Sequence, residues 1–272
     1  MSYFSYFPNT VYQLNRFDAR YIAIKDILRR VKFTEYLNYT SGSSVPYSIK
    51  DEERPEDIAY KVYGRADLHW LILLFNEIHD PYFEWPMSSS KLEVYMEEKY
   101  PGIAIYLRKV DATIPEGADI YYTSDTSSGG TYTYLGKVHA WNPSLLKLEV
   151  SGSESILTSG FIRLNSPTTG TPISIFRSEI NKYSINRFED NYGQVLSPFA
   201  SVSFPDQVGL PNEATPLITS YALSSATPEI AQLALDNYSY EQRRNDGKRE
   251  IRLIQPDKID SVTRVMRDAL LR

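Results

Sequence analysis

Cysteine is absent from the 272-residue chain. That one gap removes disulfides, thiolate metal sites and thiol nucleophiles together, and it suits assembly in a reducing cytoplasm. Histidine is almost as scarce: the chain has 3, at His69, His79 and His139, and none stands in HExxH or another metal-ligand spacing. His69 reads as a satisfied helix residue, and His79, before Asp80-Pro81, as a hydrogen-bonded turn residue. There is no GxSxG, no Walker loop and no GxGxxG. An excess of positive charge is missing too. The net charge is −5, so the overall balance does not point to nucleic acid. No apolar run approaches the ~20 residues of a bilayer span. The opening MSYFSYFPNT has no basic region and no continuous apolar core, so it does not read as a signal peptide. Internal repeats and low-complexity tracts are also lacking. These absences predict a protein that is not an enzyme, with no catalytic, cofactor-binding or metal residues and no nucleic-acid or membrane partner.

Two charge clusters remain. Asp51, Glu52, Glu53, Glu56 and Asp57 crowd one short stretch. A carboxylate pair held across a cleft could work on a sugar, but at a strand end and a helix start, capping and solvation account for them. The basic run from Arg243 and Arg244 to Arg249 could meet an acidic patch on another subunit or form a solvated helix end. What the chain has in plenty is tyrosine, 22 of them. Tyrosine is favoured at protein interfaces and also suits β-strands, and both readings stay open.

Residues 54–87, RPEDIAYKVYGRADLHWLILLFNEIHDPYFEWPM, organise the rest. Pro55-Glu56-Asp57 starts a helix, since Pro suits the first helical position and carboxylates suit the positive end. Ile58, Ala59, Val62 and Tyr63 follow at helical spacing, and Gly64 stops the helix in the left-handed conformation. Asp67 is placed to cap a second helix over about 68–76. LHWLILLFN is apolar nearly all round, so it is buried on every side or faces a partner. Asn76 ends it, and Asp80-Pro81 makes a hard stop. Tyr82, Phe83, Trp85 and Pro86 then lie in a segment without amphipathic period.

PEDIAYKVYG…LHWLILLFNEIHDPYFEWP resembles the signature of a baseplate wedge protein family of contractile-tailed bacteriophages, the wedge subunit with a LysM-like helix pair. IKDILR at 24–29 and REIRLIQP at 249–256 agree with it. The middle, about 103–219, is not part of the shortest form of that pattern. The resemblance implies an α+β fold: a LysM-like helix pair with a small sheet, whose first strand is 45–50 and whose closing strand is C-terminal. It implies a structural subunit of the tail baseplate that joins neighbouring wedges into a ring around the central hub during virion assembly. Its partners would be other wedge subunits, with the hub as a further candidate, in multiple copies of a sixfold assembly put together in the host cytoplasm. The alternative is a LysM-type module that binds peptidoglycan or a related glycan.

Elsewhere the pattern is simpler. Residues 1–44 read as an aromatic arm with no clean period, then a short helix from about Asp26 with a basic outer face. After the core at 45–102, whose last helix over 88–100 has Ser90 and Glu93 in capping-box spacing, the character changes. Short β-like runs lie between turns: 103–110, 119–123, 131–141, 145–150, 161–164 and 173–176. Such spacing suggests an inserted small antiparallel β-barrel or sandwich over 103–180, with Ser128-Gly129-Gly130 at a hairpin tip. Residues 181–226, rich in Ser, Pro, Asn and Gly, read as an irregular connector that begins near 177. Residues 227–272 form helix, strand and helix returning to the core. Ile230, Leu233, Ala234 and Tyr238 mark the first apolar face, and Ile259, Val262, Met266, Ala269 and Leu270 the last.

The candidate protein-interface residues are the aromatic anchors Trp70, Phe75, Tyr82, Phe83 and Trp85, with Asn76 and Asp80 for turn geometry, and Arg243, Arg244 and Arg249. Plain core is the competing reading for Trp70 and Phe75.

Overall fold

The computed structural model describes residues 3–13, 21–27, 44–108, 113–124, 131–152, 155–169, 171–199, 218 and 233–271. In chain order these form β1 (Asn9–Gln13), β2 (Tyr21–Lys25), β3 (Ser44–Ser48), α1 (Pro55–Tyr63), α2 (His69–Phe75), α3 (Pro81–Glu84) and α4 (Ser89–Lys99). The strands β4 (Ile103–Leu107), β5 (Asp119–Thr123), β6 (Thr133–Asn142), β7 (Lys147–Ser151), β8 (Gly160–Leu164) and β9 (Ile173–Ile180) follow. Then come β10 (Ile185–Glu189), β11 (Val195–Leu196), β12 (Ala234–Asp236), α5 (Asn237–Gly247), β13 (Glu250–Ile254) and α6 (Ile259–Leu271). The chain divides into two compact units, one of Met1–Ser90 with Arg244–Arg272, the other Lys91–Arg243.

The first unit is built on the helical stretch. Helix α1 starts at Pro55 and ends at Gly64, whose φ of 69° and N–H bond to the Tyr60 carbonyl make the expected left-handed cap. Asp67 does not cap α2. Its carboxylate is held by Arg65 at 2.8 and 3.1 Å, and a 3-10 turn at Ala66–Leu68 leads into the helix. The Arg65 hydrogen bond and charge also keep the Asp67 carboxyl well below the usual range. The nearby cation competes for the oxygens that a cap would need.

The all-round apolar character of α2 is answered within the unit. Leu68, Trp70 and Leu71 pack with Phe7 and with Ile254, Val262, Met266 and Leu270 of β13 and α6. On the other side Ile72 joins Ile49, Ile58, Ala59, Ile251 and Leu253. Strand β13 pairs antiparallel with β3, Ile251 opposite Tyr47 and Leu253 opposite Val45, the return expected for the C-terminal strand. Ala269, expected on the apolar stripe of α6, is exposed, because Val262, Met266 and Leu270 already fill the buried side.

Three more expectations change here. Residues 21–25, expected to lead into a helix, form β2, and the aperiodic arm contributes β1, the two strands pairing from Asn9↔Lys25 to Gln13↔Tyr21. The rest of that expected helix lies outside the described residues. Residues 81–84 are a short helix, with Asp80 accepting from the Tyr82 N–H at 3.0 Å. Helix α4 begins at Ser89, one residue before the expected Ser90 cap, because the Asp51 carboxylate accepts from the Ser89 N–H at 3.1 Å.

The second unit contains a closed barrel in the order β4-β7-β6-β5-β8-β9, so of the two β architectures expected the barrel is the one formed. Its interior is filled by Ile103, Ile105, Leu107, Ile120, Val138, Leu148, Val150, Ile162 and Ile175. Register shifts at Tyr106/Leu107, Ile120/Tyr121 and Val138/Ala140 bend the strands enough to close it. Gly136 is required by close approach: a Cβ there would lie 2.0 Å from the Ser151 carbonyl oxygen. The expected hairpin around Asn142-Pro143 is β6–β7, with the Asn142 side chain accepting from the N–H groups of Ser144 and Leu145. The Ser128-Gly129-Gly130 tip lies outside the described residues.

The expected irregular connector is ordered in its first part. Residues 177–180 finish β9, and β10 pairs with β11 and β12 in a small second sheet. Its Ile185 and Phe188 pack on Tyr106, Leu145 and Ile218. Ala234, assigned above to a helix, is in β12. Helix α5 starts only at Asn237, where Asp236 accepts from the Ser239 N–H at 2.7 Å and Asn237 is bonded to Asn181 and Ser184. Residues 227–232 of the expected helix, with Ile230, lie outside the described residues.

Candidate assembly interface

The acidic stretch resolves first. Glu53 is buried, yet fully engaged. Its carboxylate accepts from the Tyr47 hydroxyl at 2.9 Å, the Lys50 N–H at 3.1 Å and the Lys61 ammonium at 2.5 Å. Burial alone would raise its pKa, but the Lys61 hydrogen bond, the Lys50 N–H, the Tyr47 hydroxyl and the Lys61 charge outweigh it and hold the carboxyl below its ordinary value. The same burial, with Glu53 beside it, pushes the Tyr47 phenol up to about 12. Asp51 is lowered by Ser89 and Arg249, and Asp57 accepts from the Arg54 N–H at 3.2 Å. These oxygens stand in an open depression of about 370 Å³ lined by Lys50, Asp51, Glu52, Glu53, Asp57, Tyr60 and Lys61. Among the described residues no group of three or more His, Asp or Glu side chains is arranged to hold a metal ion.

The depressed Glu53 pKa makes a pH prediction. A carboxylate with a lowered folded-state pKa stabilises above its unfolded value and loses that contribution as pH falls through the folded value. Glu53→Gln should therefore melt lower than the parent at neutral pH. The difference should shrink as pH falls from about 5 to about 3. Melting curves across that range check it, and a constant difference would assign the effect to something other than ionisation.

Of the sequence candidates, Trp70 and Phe75 belong to the first unit's own packing. Trp70 is buried, with its ring 5.7 Å from that of Tyr6, and Phe75 is half-buried against the same cluster. Asn76 works inside the unit as well. Its amide donates to the carbonyls of Ile72 at 2.8 Å and Arg252 at 2.9 Å and accepts from the Arg252 N–H at 2.8 Å. That amide occupies the open edge of β13 as a neighbouring strand would. Trp85 is half-buried against Ile49 and its neighbours and donates from Nε1 to the Glu53 carbonyl at 2.9 Å.

Tyr82 and Phe83 are placed differently. They are 84% and 69% exposed, and their rings meet edge to face with centroids 4.9 Å apart. The corner beneath them is tied down at several points. Asp80 caps it, Glu84 accepts from the His79 N–H at 2.7 Å, and Lys248 donates to the Phe83 carbonyl at 2.7 Å. Just beyond it, Asn245 and Met87 exchange two hydrogen bonds of 2.7 and 2.9 Å. An exposed aromatic pair on a backbone already ordered loses little further entropy on docking, which is what makes such side chains effective anchors.

The basic run is dispersed. Arg243 pairs with Glu189 at 2.5 Å within the second unit. Arg244 is exposed on α5. Arg249 binds Asp246 at 3.1 Å, Asp51 at 3.2 Å and the Ile49 carbonyl at 3.3 Å, which fastens the turn before β13 to the loop after β3. The structural parts played by Asn245 and Lys248 had no signal in the linear sequence, because their partners, Met87 and Phe83, depend on the return of the C-terminal segment.

Comparison with known proteins covers the part that holds this corner. A baseplate wedge protein of Enterobacteria phage T4, gp53, is 35% identical over 57 residues, 21% of this chain and 29% of the relative. The chain thus spans less than a third of that relative's length. The family model described as base plate wedge protein 53 matches residues 2–123, a span that takes in β1 to β5 and α1 to α4. Over residues 2–123 the chain is therefore similar to the base plate wedge protein family.

Proposed function

We propose that the protein is a structural subunit of a phage tail baseplate that joins neighbouring wedges into a ring around the central hub. It would act in multiple copies of a sixfold assembly, with other wedge subunits and the hub as its partners. Its place is the virion tail, built in the host cytoplasm. The observation that carries this reading is the Tyr82–Phe83 pair, exposed on a braced corner inside the family-matched span. Aromatic side chains placed this way supply much of the energy of interfaces, about 1.5–3 kcal/mol for each large side chain fully buried. The order strand, helix, helix and returning strand, β3-α1-α2-β13, supports a LysM-like reading of the first unit. A glycan-binding role would use the polar depression beside Tyr60. There the carboxylate of Asp51 already meets Arg249 and Ser89.

The test is the double substitution Tyr82→Ala with Phe83→Ala. Both side chains are exposed, so the melting temperature should stay within a few degrees of the parent, in keeping with surface changes of about ±0.5 kcal/mol. Incorporation into tails, read by immunoblot of purified particles after complementation of a null mutant, should fall at least tenfold. Normal incorporation of a stable double variant would remove the corner from the interface.

A further inference from the structure

The Tyr82–Phe83 corner carries charge as well as aromatic surface, and the two together select the group that fits it. Residues 68–90 contain Glu77, Asp80 and Glu84 and no Lys or Arg. Asp80, Tyr82, Phe83 and Glu84 belong to α3 and its cap, and all four are exposed. Each carboxylate is held in place by the turn. Asp80 Oδ1 accepts from the Tyr82 N–H at 3.0 Å, and Glu84 Oε2 accepts from the His79 N–H at 2.7 Å and the Asp80 N–H at 3.3 Å. A carboxylate has a second oxygen for a further donor. Lys248 reaches the corner from the C-terminal segment, and there its ammonium donates to a backbone group, the Phe83 carbonyl, at 2.7 Å.

The face of an aromatic ring is electrostatically negative. Tyr82 and Phe83 meet edge to face and stay largely exposed, so ring faces are open to solvent. Rings and carboxylates of one corner then favour the same ligand, a cation. A purely apolar socket would have to desolvate the two carboxylates beside the rings, which is costly without a partner. A guanidinium suits the corner better than an ammonium. It is flat enough to stack on a ring, and its N–H groups can meet a carboxylate at the same time. The chain builds that arrangement for itself in the second unit, where the Arg187 guanidinium lies 4.7 Å from the centroid of the Tyr240 ring and its Nε donates to Glu189 at 2.7 Å.

We propose that the Tyr82–Phe83 corner receives an arginine of another baseplate subunit, its guanidinium stacked on a ring and its N–H groups on the carboxylate of Asp80 or Glu84. The partner surface is therefore basic where it meets the corner. The inference rests on the assembly role proposed above and names the chemistry of the partner.

Two double variants of the full chain test it in the same incorporation assay. Asp80→Asn with Glu84→Gln removes both charges and keeps amide oxygens for the turn N–H groups, and asparagine remains a good helix cap. Tyr82→Leu with Phe83→Leu keeps apolar bulk and removes the ring faces. Each should melt close to the parent, and each should enter tails on the order of tenfold less. Parental incorporation of the leucine pair, with the alanine pair excluded, would mean an apolar socket; it would overturn the arginine and leave the corner in the interface. Parental incorporation of a folded amide pair would overturn it as well. The leucine pair decides by itself if the amide pair unfolds. Parental incorporation of the alanine pair would instead overturn the reading beneath, the corner as an interface.

Discussion

A chain ended after Asn245 is expected to lose the cooperative unfolding transition of the first unit altogether. The cut removes β13 and α6, and with them Ile251, Leu253, Ile254, Val262, Met266 and Leu270, all buried. At about 1.5–3 kcal/mol for each large apolar side chain, that loss matches or exceeds the whole 5–15 kcal/mol by which a domain is stable. The damage does not end with the missing residues. Leu68, Trp70 and Leu71 would face water on the side that α6 covered, and the backbone of β3 would lose its pairing partner. Arg249, which fastens the loop after β3, goes as well. Near-ultraviolet circular dichroism and calorimetry would show one transition fewer than in the parent. The strands of the barrel all lie before the cut and should keep theirs. A first-unit transition that survives the truncation would contradict the β3–β13 pairing.

Phe7→Ala should give the next largest effect. Phe7 is 3% exposed and packs with Trp70, Leu71, Ile254 and Met266, a cluster drawn from segments far apart in the chain. Truncating a buried phenylalanine costs about 3–5 kcal/mol when the cavity cannot collapse. Collapse is hindered here because the neighbours are held by two helices and a strand. Denaturant titration should show the first unit's midpoint fall steeply with the slope unchanged. A loss below about 1 kcal/mol would mean that the aromatic N-terminal segment only lies on the surface. The contrast with Phe4, a neighbouring ring that is more than half exposed, offers an internal control.

These two predictions mark where linear reading succeeds. Helix α1 was legible to the residue because every determinant is local: Pro at its first position, apolar side chains at helical spacing, and glycine free to take positive φ at its end. The six barrel strands were legible for the same reason, as short apolar runs between turn residues. Signals failed where a distant partner decided. Ala234 has helix-compatible neighbours, but pairing with Phe188 draws it into β12. Residues 21–25 read only as the lead-in to a helix from about Asp26, and pairing with the preceding arm makes them a strand. Asp67 is the exception: a good cap by composition, it fails for a local reason, because the guanidinium of Arg65 close by in the chain takes its oxygens.

The candidate surface divides along the same line. An aromatic cluster after the apolar helix was visible in the residues, but its members were not separable by type. Trp70 and Trp85 turn to the unit's own interior, and Tyr82 and Phe83 turn to solvent. Sequence alone determined the local elements, the absence of cysteine chemistry and the family signature, since these depend on residue identity and near neighbours. Tertiary structure alone decided which aromatic rings face out and that the Asn76 amide covers the outer edge of β13. The covering of β13 depends on the C-terminal strand returning to a segment about 200 residues earlier, as in the bond from Arg249 to the Ile49 carbonyl, and no local interaction encodes a contact across that separation.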